Sequence, residues 1–167
     1  MKYLLDTNIF IESKNRYYGF DIAPGFWEWL NRAMTNGDIN SIKNVYDELM
    51  NGNDKDLLTW INSRKGFFLD IDENTLKYAK DLSIWAENQN YKQHAINTFW
   101  QSADLFLVAH AKAHGFVVVT LEKPEPNRKS RIKIPEACQH LKVEYCNTFD
   151  MMRSLKAKLI LGDADIF

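Results

Sequence analysis

Short apolar runs separated by helical stretches recur along this chain. The sharpest is Phe116-Val117-Val118-Val119-Thr120, set off by Gly115. Consecutive β-branched residues favour a pleated strand. Residues 2–6 form a second short run, Lys2-Tyr3-Leu4-Leu5-Asp6, and residues 39–42 are a third strand candidate. Strand-like and helix-like segments that alternate in this way predict an α/β fold built on a parallel sheet.

Punctuation residues set the helices between them. Pro24 and Gly37 bracket a helix over 24–36, in which Phe26, Trp27, Leu30 and Met34 share much of one face. A helix over 43–51 ends near Gly52, and Asp54 is placed to cap another over 55–64. Phe67-Phe68-Leu69 is a short apolar run, and Asp72 is placed to cap a helix over 73–88. Gln93 to His114 reads as one long helical stretch stopped by Gly115. Residues 121–134 form a loop rich in proline and basic residues. Pro135 begins a short helix, 142–145 is a last strand and 148–160 a last helix. At 167 residues, with no long linker, the whole chain reads as one domain. Its core is 1–145, with a C-terminal helix and tail over 146–167.

Composition narrows the class. The formal charge is -1, so any nucleic-acid surface must be local. Cys138 and Cys146 stand in no metal or redox spacing and suit free thiols in a reducing compartment. No segment approaches ~18 consecutive apolar residues, so a cytoplasmic protein away from membranes is expected. The five tryptophans suit core or dimer-interface packing, and so does the segment Phe26-Trp27-Glu28-Trp29.

The chemistry lies in where the carboxylates fall. Asp6 ends the first strand, and ligands of open α/β sheets bind beyond the carboxyl ends of strands. Capping of the following helix by Asp6 or Thr7 is the plainer reading of that segment alone. Glu48 sits at the edge of the apolar face formed by Val45 and Leu49, where it either enters a cleft or remains in solvent. Asp104 lies in Ala103-Asp104-Leu105-Phe106-Leu107-Val108-Ala109, a helix apolar nearly all round. A lone carboxylate there costs several kcal/mol unless it is paired, hydrogen-bonded or metal-bound, although a place in the first turn would gain from the helix dipole. Glu122 follows the valine strand by two residues. If the four converge, each pair at ~4 Å repels by about 1 kcal/mol even at the dielectric of water. A cation or protonation must then neutralise them. Oxygen donors without His or Cys favour Mg²⁺ or Mn²⁺.

This ordering resembles a PIN domain. Its marks are Asp6-Thr7-Asn8 after an apolar strand, a mid-chain helical Glu48, Ala103-Asp104 on an apolar helix ending in Gly, and a valine strand running into Thr120-Leu121-Glu122. The likeness runs from residue 2 to about residue 145. The stretch from Thr120 through Arg128-Lys129-Ser130-Arg131-Ile132-Lys133 to Cys138 is similar to the PIN-like family labelled DUF4411. The resemblance implies a three-layer α/β/α sandwich around a mostly parallel sheet. It implies a Mg²⁺- or Mn²⁺-dependent ribonuclease, often the toxin of a VapBC-type toxin–antitoxin pair, with a cognate antitoxin and a homodimeric assembly. By that resemblance Asp6, Glu48 and Asp104 hold metal and Glu122 supplies the fourth acid. Thr7 and Asn8 support Asp6 by hydrogen bonds or contact a metal-bound water, and Thr120 stands beside Glu122.

Lys123, Arg128, Lys129, Arg131 and Lys133 form a basic loop beside the acids, either an RNA-phosphate contact or a solvated segment. His110 and His114 are i,i+4 but show no third nitrogen or sulfur ligand, so a role at the helix end is expected. Asp163 and Asp165 in the tail are expected to be solvated. The competing functional readings are a PIN-like module that binds RNA or an antitoxin without cutting, and a DNA or flap nuclease.

Overall fold

The computed structural model describes residues 1–160; the expectation for Asp163 and Asp165 lies outside them. Five strands form one parallel sheet in the order β3-β2-β1-β4-β5. They are β1 (Tyr3–Leu5), β2 (Ile39–Ile42), β3 (Phe68–Leu69), β4 (Val117–Val119) and β5 (Tyr145–Cys146). In the central pair, Tyr3, Leu4 and Leu5 face Val117, Val118 and Val119 in register. Leu4, Leu5, Val118 and Val119 are wholly buried, as expected where helices cover both faces of a parallel sheet. The architecture is the expected α/β fold.

The helices are α1 (Thr7–Glu12), α2 (Pro24–Thr35), α3 (Lys43–Met50), α4 (Lys55–Asn62), α5 (Glu73–Glu87), α6 (Gln93–Gln101), α7 (Ala103–His114), α8 (Ile134–Leu141) and α9 (Thr148–Ser154). α1 runs on into a wider π turn over Ser13–Tyr17. Asp54 and Asp72 cap α4 and α5 by accepting from the N–H groups of Leu57 and Thr75. α7 is the hub: it packs on α3, α5, α6 and α8 and against β2 and β4. Phe26 and Trp27 are buried, and the Phe26 ring stacks on Tyr18 at 4.0 Å. The aromatic segment of α2 is therefore core.

Three boundaries depart from the sequence reading. The stretch from Gln93 to His114 is two helices, because Ser102 takes an extended backbone (φ -85°, ψ 157°). Its hydroxyl donates back to the carbonyl of Phe99, and the chain restarts as α7 at Ala103. β5 starts later than expected, after Lys142 ends α8 in the left-handed region at φ 54°. α9 ends at Ser154 rather than near residue 160.

Candidate metal and nuclease site

The sheet order reverses between β1 and β4: the chain leaves β1 for β2 on one side and returns to β4 on the other. A crevice opens at the carboxyl ends of strands at such a point. Asp6 and Thr120 face each other there. The Asp6 N–H donates to the carbonyl of Val119 at 3.0 Å, and its Oδ2 accepts from Thr120 Oγ1 at 3.0 Å. Asp6 is only 2% exposed. Burial raises its pKa from 3.8 to about 7, with the charges of Glu122 and Glu48 adding to the rise and the Thr120 hydrogen bond opposing it.

The break at Ser102 brings the second acid in. It turns the N-terminus of α7 towards the crevice and leaves the first amides of that helix without partners from α6. Glu48 supplies one partner: its Oε1 accepts from the Ala103 N–H at 2.8 Å, and its Oε2 accepts from Thr7 Oγ1 at 2.7 Å. One carboxylate thus ties α3 to the starts of α1 and α7. Asp104 follows, and its side chain makes no hydrogen bond or ion pair among the described residues. Its pKa is pushed well above the usual carboxylate range, first by burial and then by Asp6, Glu122 and Glu48, with Arg131 opposing.

Glu122 is anchored differently. Its Oε1 pairs with Arg131 at 2.5 Å, and its Oε2 accepts from the Ile134 N–H at the start of α8 at 2.8 Å. Both oxygens are engaged by protein, so Glu122 sets the position of Arg131 and of α8.

Asp6, Thr7, Asn8, Glu48 and Asp104 line one cavity of about 430 Å³, and Arg128, Ser130 and Arg131 line the same cavity. Of the five basic residues expected to meet RNA, Arg128 and Arg131 are therefore beside the acids. Lys133 is buried against Glu125 and also reaches the carbonyl of Lys123. Lys129 lies 4.9 Å from the Tyr91 ring and donates to Pro126. Thr7, expected to support Asp6, gives its hydroxyl to Glu48, while its backbone N–H donates to the Asp6 carboxylate. Sequence reasoning missed Ser102 and the Ala103 N–H. The available signal was a serine directly before Ala-Asp, a helix-start pattern hidden inside a longer periodic stretch.

The parallel order, with a crevice of acids at its switch point, is a PIN-like α/β fold. The sequence matches the family described as a domain of unknown function (DUF4411) over residues 3–159, and the chain belongs to that family. Among solved structures the fold is similar to VapBC2 from Rickettsia felis, bound to a DNA fragment from their promoter, with 19% identity and a TM-score of 0.56. It is also similar to DNA-bound VapBC from Salmonella typhimurium (17%, 0.55) and to FitAcB from Neisseria gonorrhoeae (18%, 0.53). Each likeness covers 88% of this chain and 98% of the other. At these identities it is a likeness of fold. No curated protein matches the sequence significantly.

Proposed function

We propose that this protein is a divalent-metal-dependent endoribonuclease and the toxin of a toxin–antitoxin pair. One observation carries the reading. Two carboxylates, Asp6 and Asp104, are held at the sheet's switch point with their pKa values pushed up by burial and by neighbouring negative charge. Arg131 neutralises Glu122, while Asp6 and Asp104 have no lysine or arginine partner among the described residues, an arrangement that suits a cation. The donors are all oxygens, which suits Mg²⁺ or Mn²⁺ rather than a softer ion. Asp6, Asp104 and Glu48 would hold it, with Glu122 as the fourth acid; Glu48 and Glu122 would offer the remaining lone pairs of oxygens that already accept from protein. When bound, such an ion neutralises the acids, polarises a phosphate and lowers the pKa of water.

The chain's own residues do the rest. Thr120 and the Val119 carbonyl fix Asp6 in one orientation. Glu48 locks the start of α7, so Asp104 is held without its own hydrogen bonds being spent. Arg128 and Arg131, which line the same cavity as the acids, receive the flanking phosphates of a strand whose scissile phosphate lies over the carboxylates. Glu122 keeps Arg131 in place for this. The partner is an antitoxin protein, in keeping with the VapBC and FitAB complexes that share the fold, and the toxin acts as a homodimer in the cytoplasm. No helix among the described residues is long and apolar enough to cross a membrane.

The test compares single-stranded RNA, single-stranded DNA and flap DNA with Mg²⁺, with Mn²⁺ and with chelator. RNA cleavage that requires metal and disappears in Asp104→Asn is the expected result. Cleavage of DNA alone would make it a DNA or flap nuclease. Metal binding without cleavage of any substrate would make it a non-catalytic module.

A further inference from the structure

The helix that carries Asp104 at one end carries two histidines at the other. The rings of His110 and His114 lie 4.4 Å apart on α7. Asp72, the cap of α5, reaches them across the helix pair, with its Oδ2 3.0 Å from His114 Nε2. One donor atom from each of Asp72, His110 and His114 lies within 4.8 Å of the other two.

A buried hydroxyl orders this trio. Thr75 is 0% exposed, and its Oγ1 donates to Asp72 Oδ1 at 2.7 Å. That hydroxyl has a single proton. Its 2.9 Å contact with His110 Nδ1 must therefore be accepted from the ring. The His110 tautomer is thereby fixed with hydrogen on Nδ1, which leaves Nε2 as the open lone pair; Nε2 has no hydrogen-bond partner among the described residues. A ring held by its other nitrogen, with a neighbouring carboxylate held by the same threonine, is the outer support that metal-binding histidines have. The trio borders a solvent-open cavity of about 430 Å³. Lys2 and Phe116, which lead into β1 and β4, line the same cavity. It therefore lies at the opposite end of the sheet from Asp6, about 15 Å along α7 from Asp104 to His114.

We propose that Asp72, His110 and His114 form a second metal site, for a borderline transition ion such as Zn²⁺, that clasps the start of α5 to the end of α7. Two imidazoles and one carboxylate favour such an ion over Mg²⁺, and three protein ligands leave a fourth position open. Bonds of about 2.0–2.1 Å in a tetrahedron place donors about 3.3 Å apart. Asp72 and His114 already meet that spacing, and as the two exposed members they can adjust to the buried His110 ring to close on an ion. The site is independent of the carboxylate cluster.

The test uses the full chain, stripped with chelator and kept in millimolar Mg²⁺ to occupy the oxygen site. Titration with Zn²⁺ by calorimetry, and with Co²⁺ by visible absorption, should show one equivalent bound with nitrogen ligation. His114→Gln, at a partly exposed position that need not disturb the core, should lose at least about tenfold in Zn²⁺ affinity while its Mn²⁺-induced rise in melting temperature persists. Asp6→Asn should keep full Zn²⁺ binding. Absence of stoichiometric Zn²⁺ binding, unchanged affinity in His114→Gln, or loss of Zn²⁺ in Asp6→Asn would each overturn the proposal and reduce the trio to an ion-paired helix cap.

Discussion

Replacing Asp6 by Asn should stabilise the metal-free protein, and the gain should depend on pH. The folded state raises the pKa of Asp6 from 3.8 to about 7. Between these values the native state binds a proton that the unfolded chain has released. Stability therefore falls as pH rises from about 4 to about 7 and is flat above that. That rise corresponds to a ceiling of about 4 kcal/mol lost by pH 8. Asparagine carries no charge and keeps a carbonyl oxygen to accept from Thr120, although its amide faces a position that suited an acceptor. A net gain of about 2–3 kcal/mol at pH 8 follows, and almost none at pH 4. For a chain of this size that is a rise of roughly 5–12 °C in melting temperature. The assay is denaturant and thermal unfolding of both proteins in chelator across pH 4–8. Adding Mn²⁺ at pH 8 should raise the wild type towards the variant and leave the variant almost unmoved. An Asp6→Asn protein no more stable than wild type at pH 8, or one stabilised equally at pH 4 and pH 8, would refute the electrostatic account of the cluster.

Other perturbations test the supports. Thr120→Val removes the hydrogen bond to ionised Asp6 and should cost about 1.5–3 kcal/mol at pH 8 and less at pH 5, by urea unfolding. Glu48→Ala leaves the Ala103 N–H and the Thr7 hydroxyl without their acceptor; it should destabilise by about 1–3 kcal/mol and abolish cleavage in a gel assay. Arg131→Ala should weaken RNA binding about equally across sequences and lower the slope of log affinity against log salt by about one, measured by fluorescence anisotropy at several salt concentrations.

Much of this molecule is legible in its sequence, and the illegible parts share a cause. The strands around Leu4-Leu5, Ile39–Ile42 and Val117–Val119 are visible because apolar runs bounded by turns and acids are local signals. Asp54 and Asp72 are visible as caps for the same reason. The crevice around Asp6 and Asp104 is inferable because a buried helix cannot carry an idle carboxylate. Ser102 is easily overlooked: no Gly or Pro marks it, its helix-start serine lies inside a longer periodic stretch, and Glu48 reaches the new helix start from a distant part of the chain. The engagement of Glu122 with Arg131 and Ile134 depends on how an irregular loop folds back. Asp72 meets His110 and His114 only because α5 packs on α7, which spacing along the chain does not reveal.

The pairing of β1 with β4 also sets a schedule. Asp6 and Thr120 are separated by 114 residues, and Asp104 and Glu122 also belong to the later half of the chain. A ribosome adding about 5–20 residues per second exposes β1, β2 and Glu48 seconds before their partners exist. During that interval Asp6 is an ordinary solvated carboxylate beside an unpaired strand edge. The acids converge only when α7 and β4 have emerged and docked, so the crevice cannot form before residue 120 has left the ribosome.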